Sequence, residues 1–152
     1  MHWQVAAFTE LSPEELYRML ALRSAIFVVE QNCPYQDADG LDPDPRVRHL
    51  NFWQQGQLLA TARLLGPGVQ APEQVWIGRV AVAASARGQG MGRLLMQRAL
   101  AEVQARWPGC PVLLGAQIQV REFYRSLGFA PLGAEYLEDG IPHQHMELTC
   151  SA

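Results

Sequence analysis

The sequence predicts a mixed α/β (α+β) fold, one sheet with helices on both faces, and three observations lead there. Hydrophobic periodicity switches between about two and about 3.6 residues in the order β-α-β-β-β-α-β-α-β-β. An apolar, β-branched run from Val75 to Val82 leads into a glycine-rich turn, Arg87-Gly88-Gln89-Gly90-Met91-Gly92, and then a long helical pattern. Val112-Leu113-Leu114-Gly115-Ala116 is short and wholly apolar, as a buried parallel strand is.

Taken in order, Trp3 to Phe8 alternates and predicts the first strand. Ser12 then offers an N-cap, Pro13 suits the first helical position, and Glu14 and Glu15 favour the positive end of the helix dipole. Leu16, Met19, Leu20, Ile26 and Phe27 recur at helical spacing and give this helix one buried face. Arg23 falls on or beside that face, and its expected posture is a stem along apolar surface with the guanidinium in water. The pattern decays through Phe27 to Gln31, and Pro34 opposes any helix past Cys33. Asp37, Asp39, Asp42 and Asp44 lack the order of a calcium loop, so Gln36 to Arg46 reads as a solvated loop and no metal is expected.

His49 to Gln54 and Leu58 to Leu65 flank Gln55-Gly56-Gln57 as an antiparallel hairpin. Val75 to Val82 is the central strand. The helix after it runs from about Gly90 to Trp107 and is stopped by Pro108-Gly109. Val120 to Leu127 forms a short helix closed by Gly128. A last hairpin pairs Leu132 to Leu137 with His143 to Thr149 and places Asp139-Gly140 in its turn.

Composition narrows the function. The 152 residues suit one domain, 1–152, with 49% hydrophobic and 18% charged residues. A net charge of -3 argues against a broad nucleic-acid surface but not against one anionic small ligand. No run approaches the roughly 18 apolar residues of a membrane span. The start, Met1-His2-Trp3-Gln4, lacks a basic region followed by an apolar one, so a cytoplasmic protein is expected. Cys33, Cys110 and Cys150 are too widely spaced for a metal or redox motif and read as thiols, with a reactive Cys33 the lesser expectation.

The chemistry starts at the glycine turn. A strand, a glycine-rich turn and a helix start together expose amides and a positive dipole end to an anion. A P-loop needs Lys and then Ser or Thr after its last glycine, whereas Gly92 leads to Arg93-Leu94. A dinucleotide site needs another glycine spacing near the first strand. What remains is R-x-x-G-x-G, met by Arg87, Gly90 and Gly92.

With that turn and the later Phe123-Tyr124-Arg125-Ser126-Leu127-Gly128-Phe129, the chain resembles the GNAT family of acyl-CoA-dependent N-acetyltransferases. It resembles the ElaA-like branch most, through Leu22-Arg23, Phe27 to Gln31, Cys33-Pro34-Tyr35, Asp39-Gly40, His49, Gly78 to Val82, Gln117, Gly140 to His143 and Met146. The resemblance implies a mostly antiparallel sheet splayed between the fourth and fifth strands, and acetyl-CoA as acyl donor without a metal. It implies that the amides of Gly88, Gln89, Gly90, Met91 and Gly92, with charge from Arg87 or Arg93, hold a pyrophosphate. The edge of Val80, Ala81 and Val82 would meet the pantetheine arm, with Gln117 a further cofactor contact, and Tyr124 would be the general acid.

The general base is open. Where many family members carry a Glu on the central strand, this chain has Trp76, Gly78 and Arg79. Glu30 and His49 are the catalytic candidates, with His143 and His145 also in reach of that role. Glu30, Arg79 and His143 are expected at the acceptor pocket, and Glu30 can pair with Arg23 or Arg79. The expected acceptor is a small-molecule or peptide amine, and edge strands allow a homodimer. Two other readings stand beside this one: an acyl-CoA-binding module without turnover, and an enzyme like the acyl-homoserine-lactone synthases, suggested by Phe27-x-x-Glu30.

Overall fold

The computed structural model describes residues 1–148. Thr149, the expected end of the last strand, and Cys150 lie outside the described residues. The sheet contains β1 (His2–Ala6), β2 (Val47–Gln54), β3 (Gln57–Leu65), β4 (Val75–Val82), β5 (Val112–Gln117), β6 (Ala130–Glu138) and β7 (Ile141–Leu148). Their spatial order is β1-β2-β3-β4-β5-β7-β6. Every neighbouring pair is antiparallel except β4 and β5.

That parallel pair decides the shape of the molecule. It is laddered only at Val75 with Val112 and Trp76 with Leu113. From there β4 runs on to Val82 and β5 to Gln117 with no ladder pairs between them among the described residues. The sheet opens into a V, and the facing edges of both strands are free of ladder pairs there.

Helices cover both faces. On one face lie α1 (Pro13–Arg23) and the π-helical segment Ser24–Glu30 that continues it. On the other lie α2 (Met91–Arg106) and the short α3 (Arg121–Ser126). Ser12 caps α1 in a capping box, its Oγ accepting from the Glu15 amide at 3.1 Å while the Ser12 amide donates to Glu15 at 2.8 Å. Where the pattern was expected to decay, the backbone instead widens to i→i−5 bonds: Gln31 N–H donates to Ile26 and Cys33 N–H to Val28. The chain thereby stays helical through Glu30.

Strand alternation sorts the two cores. Leu50, Phe52, Ala60, Ala62, Leu64, Val75 and Ile77 face α2 and pack with Leu95, Met96, Ala99 and Val103. The smaller core under α1 joins Ala6, Leu11, Met19, Trp53 and Leu58. Both tight hairpins take the turn their sequence suits. Gln55 and Gly56 (φ +53° and +75°) link β2 to β3, and Asp139 and Gly140 (φ +50° and +78°) link β6 to β7.

Candidate active site

The face under α1 is polar where it meets β3 and β4. Arg23, at the end of α1, is 1% exposed. Its Nε donates to Asp37 Oδ2 at 2.8 Å, and Nη1 donates to Asp42 Oδ1 at 2.9 Å. The expected snorkelling posture is therefore corrected: this guanidinium is inside, because buried carboxylates meet it. The solvated loop holds for most of Gln36 to Arg46 and is corrected at two positions. Asp37 and Asp42 are buried, while Asp39 and Asp44 keep contact with water. Arg63 on β3 holds Asp39 through two bonds of 2.9 Å and reaches Asp42 at 3.2 Å. Burial pushes the Asp39 carboxyl up, but Arg63, the Leu41 amide and Arg79 outweigh it and hold it at about 2.

Arg79 completes this cluster from β4. Across from β3, Thr61 pairs with Ala81 and Arg63 with Gly78, so Arg79 and Val80 form a bulge opposite Ala62. Arg79 sits at φ +51°, a left-handed conformation that costs a side-chain-bearing residue on the order of 1–2 kcal/mol. Its Nε lies 2.8 Å from Asp37 Oδ1, its Nη2 lies 3.2 Å from Asp39 Oδ2, and its guanidinium stands 5.5 Å over the Tyr35 ring. Tyr35 in turn donates to Asp37 Oδ1 at 2.5 Å, and burial first, then that carboxylate, raises its phenol. These contacts offset the strain and keep Val80 out of the β3 ladder.

The V between β4 and β5 holds a cavity of about 560 Å³. Ile77, Val80, Leu114 and Tyr124 line it, as do Phe27, Tyr35 and Arg79. Because Ile77 and Leu114 belong to the α2-side core while Arg79 and Tyr35 belong to the opposite layer, the opening passes through the sheet from face to face. Tyr124, on α3, packs edge-on to Phe123 and Phe129, with ring centroids 5.2 and 6.0 Å away. Burial pushes its phenol up to about 12, so the hydroxyl keeps its proton at neutral pH.

Beyond the tip of β4 lies the glycine turn. Gly88 and Gly90 take φ +79° and +77°, and open space surrounds the place where a side chain would begin. Gly90 is the N-cap of α2 and supplies no side-chain cap. The amides of Met91, Gly92 and Arg93 are thus left without an intrahelical acceptor.

Not all expected residues gather in the cavity. Val80, Arg79, Gln117, Tyr124 and His143 line it, together with His145. Gln117 donates to Gln31 at 3.2 Å, tying the end of β5 to the π-helical segment. His49 is placed elsewhere: it is buried in β2, its Nε2 lies 3.1 Å from the Asp42 carbonyl, and burial lowers its imidazole below the usual range. Glu30 stands outside the cavity lining on the surface. Its partner is neither Arg23 nor Arg79 but Arg87, which donates to both carboxylate oxygens at 2.7 and 2.9 Å and to the Val82 carbonyl at 3.1 Å. That bidentate bond lowers the Glu30 carboxyl. Arg87 is accordingly a brace from the end of β4 to the π-helical segment, while Arg93 donates to Ser126 Oγ at 2.6 Å.

Sequence reasoning missed Phe27, Tyr35, Gly115, Tyr136 and Glu138 as cavity residues. For the hairpin pair a signal was present. Tyr136, Glu138, His143 and His145 sit at alternate positions of two paired strands and so share one face.

A sheet split between two parallel strands, with a glycine turn ahead of a helix and a tyrosine beside the gap, defines an acyltransferase fold. The acetyltransferase (GNAT) domain family matches residues 42–150, and the chain belongs to that family. It is 47% identical to Protein ElaA of Escherichia coli K12, over 94% of this chain and 93% of that protein. The crystal structure of an acyl-CoA N-acyltransferase from Pseudomonas aeruginosa is 46% identical and superposes with a TM-score of 0.93, covering 97% of this chain and 99% of that one. Escherichia coli ElaA superposes at 0.91 with 45% identity, over 97% and 99% of the two chains.

Proposed function

We propose that this chain transfers the acetyl group of acetyl-CoA to a primary amine of a small molecule or peptide. The observation that carries the reading is the opening between β4 and β5, with Val80 on one side and Tyr124 beside it. The residues present fit the donor. The uncapped start of α2 and the bare glycines suit a pyrophosphate, and the unpaired edge of β4 from Val80 to Val82 suits the two amides of a pantetheine arm. Acetyl-CoA supplies an activated thioester carbonyl.

The chain's own groups do the rest. The Val80 amide, set out of register by the Arg79 bulge, is the donor to the carbonyl oxygen as negative charge grows there. Tyr124 keeps its proton at neutral pH and donates a hydrogen bond to the departing sulfur. A thiol is more acidic than a phenol held at about 12, so Tyr124 stabilises the thiolate by that bond rather than by surrendering its proton outright. Arg87 fixes the approach of the turn through Glu30 instead of meeting the phosphates itself.

The test is release of free thiol from acetyl-CoA across a panel of primary amines. The reading expects release that depends on the amine and saturates with both reactants. Tight coenzyme A binding with no thiol release from any amine would instead favour a binding module.

A further inference from the structure

Opposite the donor side, the β6–β7 hairpin presents one face to the cavity. Tyr136 and His143 are directly paired there and stack with centroids 5.8 Å apart. His143 is 7% exposed. Its Nδ1 lies 2.7 Å from the Ile141 carbonyl, an acceptor only, so Nδ1 carries the proton and Nε2 carries a lone pair when the ring is neutral. The Nε2 atom lies 3.6 Å from Glu138 Oε2. A carboxylate there gives a neutral ring no donor, yet it meets an imidazolium at once. Glu138 itself is mostly exposed and makes a path from this point to water.

The pocket around the pair has aromatic faces of the kind that attract an organic cation. Trp76 and Tyr136 both pack against His145, at 5.2 and 4.6 Å, and with Phe27 they give the cavity aromatic walls. Gly115 makes this possible, since a Cβ there would fall 2.6 Å from the Tyr136 hydroxyl.

We infer that Glu138 and His143 form the acceptor site, Glu138 drawing in an alkylammonium group and His143 Nε2 removing its proton. The inference rests on the acetyltransferase reading and names its acceptor as a cationic primary amine. An amine with a pKa near about 10.4 arrives protonated. One N–H bond breaks and its proton passes to Nε2, leaving an imidazolium between Glu138 and the Ile141 carbonyl. The freed lone pair forms the new C–N bond to the acetyl carbon as the C–S bond breaks. The nitrogen's second proton ends on the sulfur, and the imidazolium returns its proton to water past Glu138.

Glu138 and Tyr136 from β6 contact His143, and His145 from β7, Asp139 in the turn, Cys33 after the π-helical segment and Tyr124 on α3 line the cavity with it. Tyr35, Asp39 and Arg79 stand on the cavity's other wall and are already tied to one another through Asp37 and Asp39. His143 is the one among these whose lone pair adjoins a carboxylate with a route to solvent.

The experiment uses His143→Gln and Glu138→Gln in the full chain, with the best aliphatic amine of the panel as acceptor and coenzyme A binding followed by calorimetry. For His143→Gln, kcat/KM for the amine should fall about 10²-fold at pH 7. The deficit should shrink as pH rises and solvent supplies the free amine, with coenzyme A affinity unchanged. Glu138→Gln, at an exposed position that folding tolerates, should raise KM for the amine several-fold and lower kcat by less than His143→Gln does, because the imidazolium loses its neighbouring carboxylate. The inference is overturned if His143→Gln keeps the wild-type pH profile of kcat/KM, or if Glu138→Gln leaves KM for the amine unchanged. Failure of the acetyltransferase reading looks different: wild type would release no thiol with any amine, and the inference would fall with it.

Discussion

The two faces of the sheet are held by different forces. The α2 face is apolar and closes on itself, with Leu95, Met96 and Ala99 at 0% exposure. The α1 face carries three guanidiniums and three carboxylates, with Arg23, Arg63, Asp37 and Asp42 buried and Arg79 and Asp39 at the edge of the cluster in contact with water. Apolar burial stabilises without direction, whereas charged pairs have geometry and fail when one member is missing. The first face fixes the fold. The second aims a strained residue, Arg79, and so shapes the wall of the cavity.

Removing charge should expose the contrast most. Arg23→Ala leaves Asp37 and Asp42 buried against a hole and should cost about 3–5 kcal/mol. Leu95→Ala in the other core should cost about 2–5 kcal/mol. Adding Asp42→Asn should recover part of the first loss and none of the second, read from urea unfolding. An Arg23→Ala protein with the wild-type midpoint would show the network to be idle.

Function divides along the same line. On the α2 side, Tyr124→Phe should lower kcat about 10²-fold and leave the KM for acetyl-CoA nearly unchanged. Gly90→Ala meets no atoms but places a Cβ at φ +77°, so strain of about 1–2 kcal/mol should appear in thermal unfolding. The KM for acetyl-CoA should rise several-fold with it.

Acid weakens the charged face. Asp39 is held at about 2, below its value in an unfolded chain, so it favours the folded state above about pH 4. That contribution disappears as pH falls through about 2. Asp42 is shifted in the same direction, with burial opposing and Arg23 and Arg63 prevailing. Melting temperatures between pH 5 and 2 should therefore fall less steeply for Asp39→Asn than for wild type. At the small end, Arg18→Ala removes an exposed pair with Glu14 and should change stability by less than about 0.5 kcal/mol.

How much of this the residues announce depends on the range of the interaction. Ser12, Pro13 and Glu15 mark a helix start, and Asp139-Gly140 a hairpin, because caps and turns are local. Val75 to Val82, the turn after it and Tyr124 were legible for the same reason, as strand, glycines and short helix. The buried Arg23 was not, since its partners lie 14 and 19 residues away across a loop that looks solvated. His49 and Glu30 were named for their chemistry alone. Only the fold shows one locked under the sheet against Asp42 and the other spent on Arg87. Glu138 and Tyr136 become visible once strand register puts them beside His143.

The proposed meeting place of both reactants is the gap between β4 and β5. A crystal structure with coenzyme A bound tests it most directly. Expected are the pyrophosphate on the amides after Gly88, the arm along Val80 to Val82, and the sulfur within hydrogen-bonding reach, about 3.5 Å, of the Tyr124 hydroxyl. Coenzyme A seated outside that gap, or with its sulfur turned away from Tyr124, would contradict it.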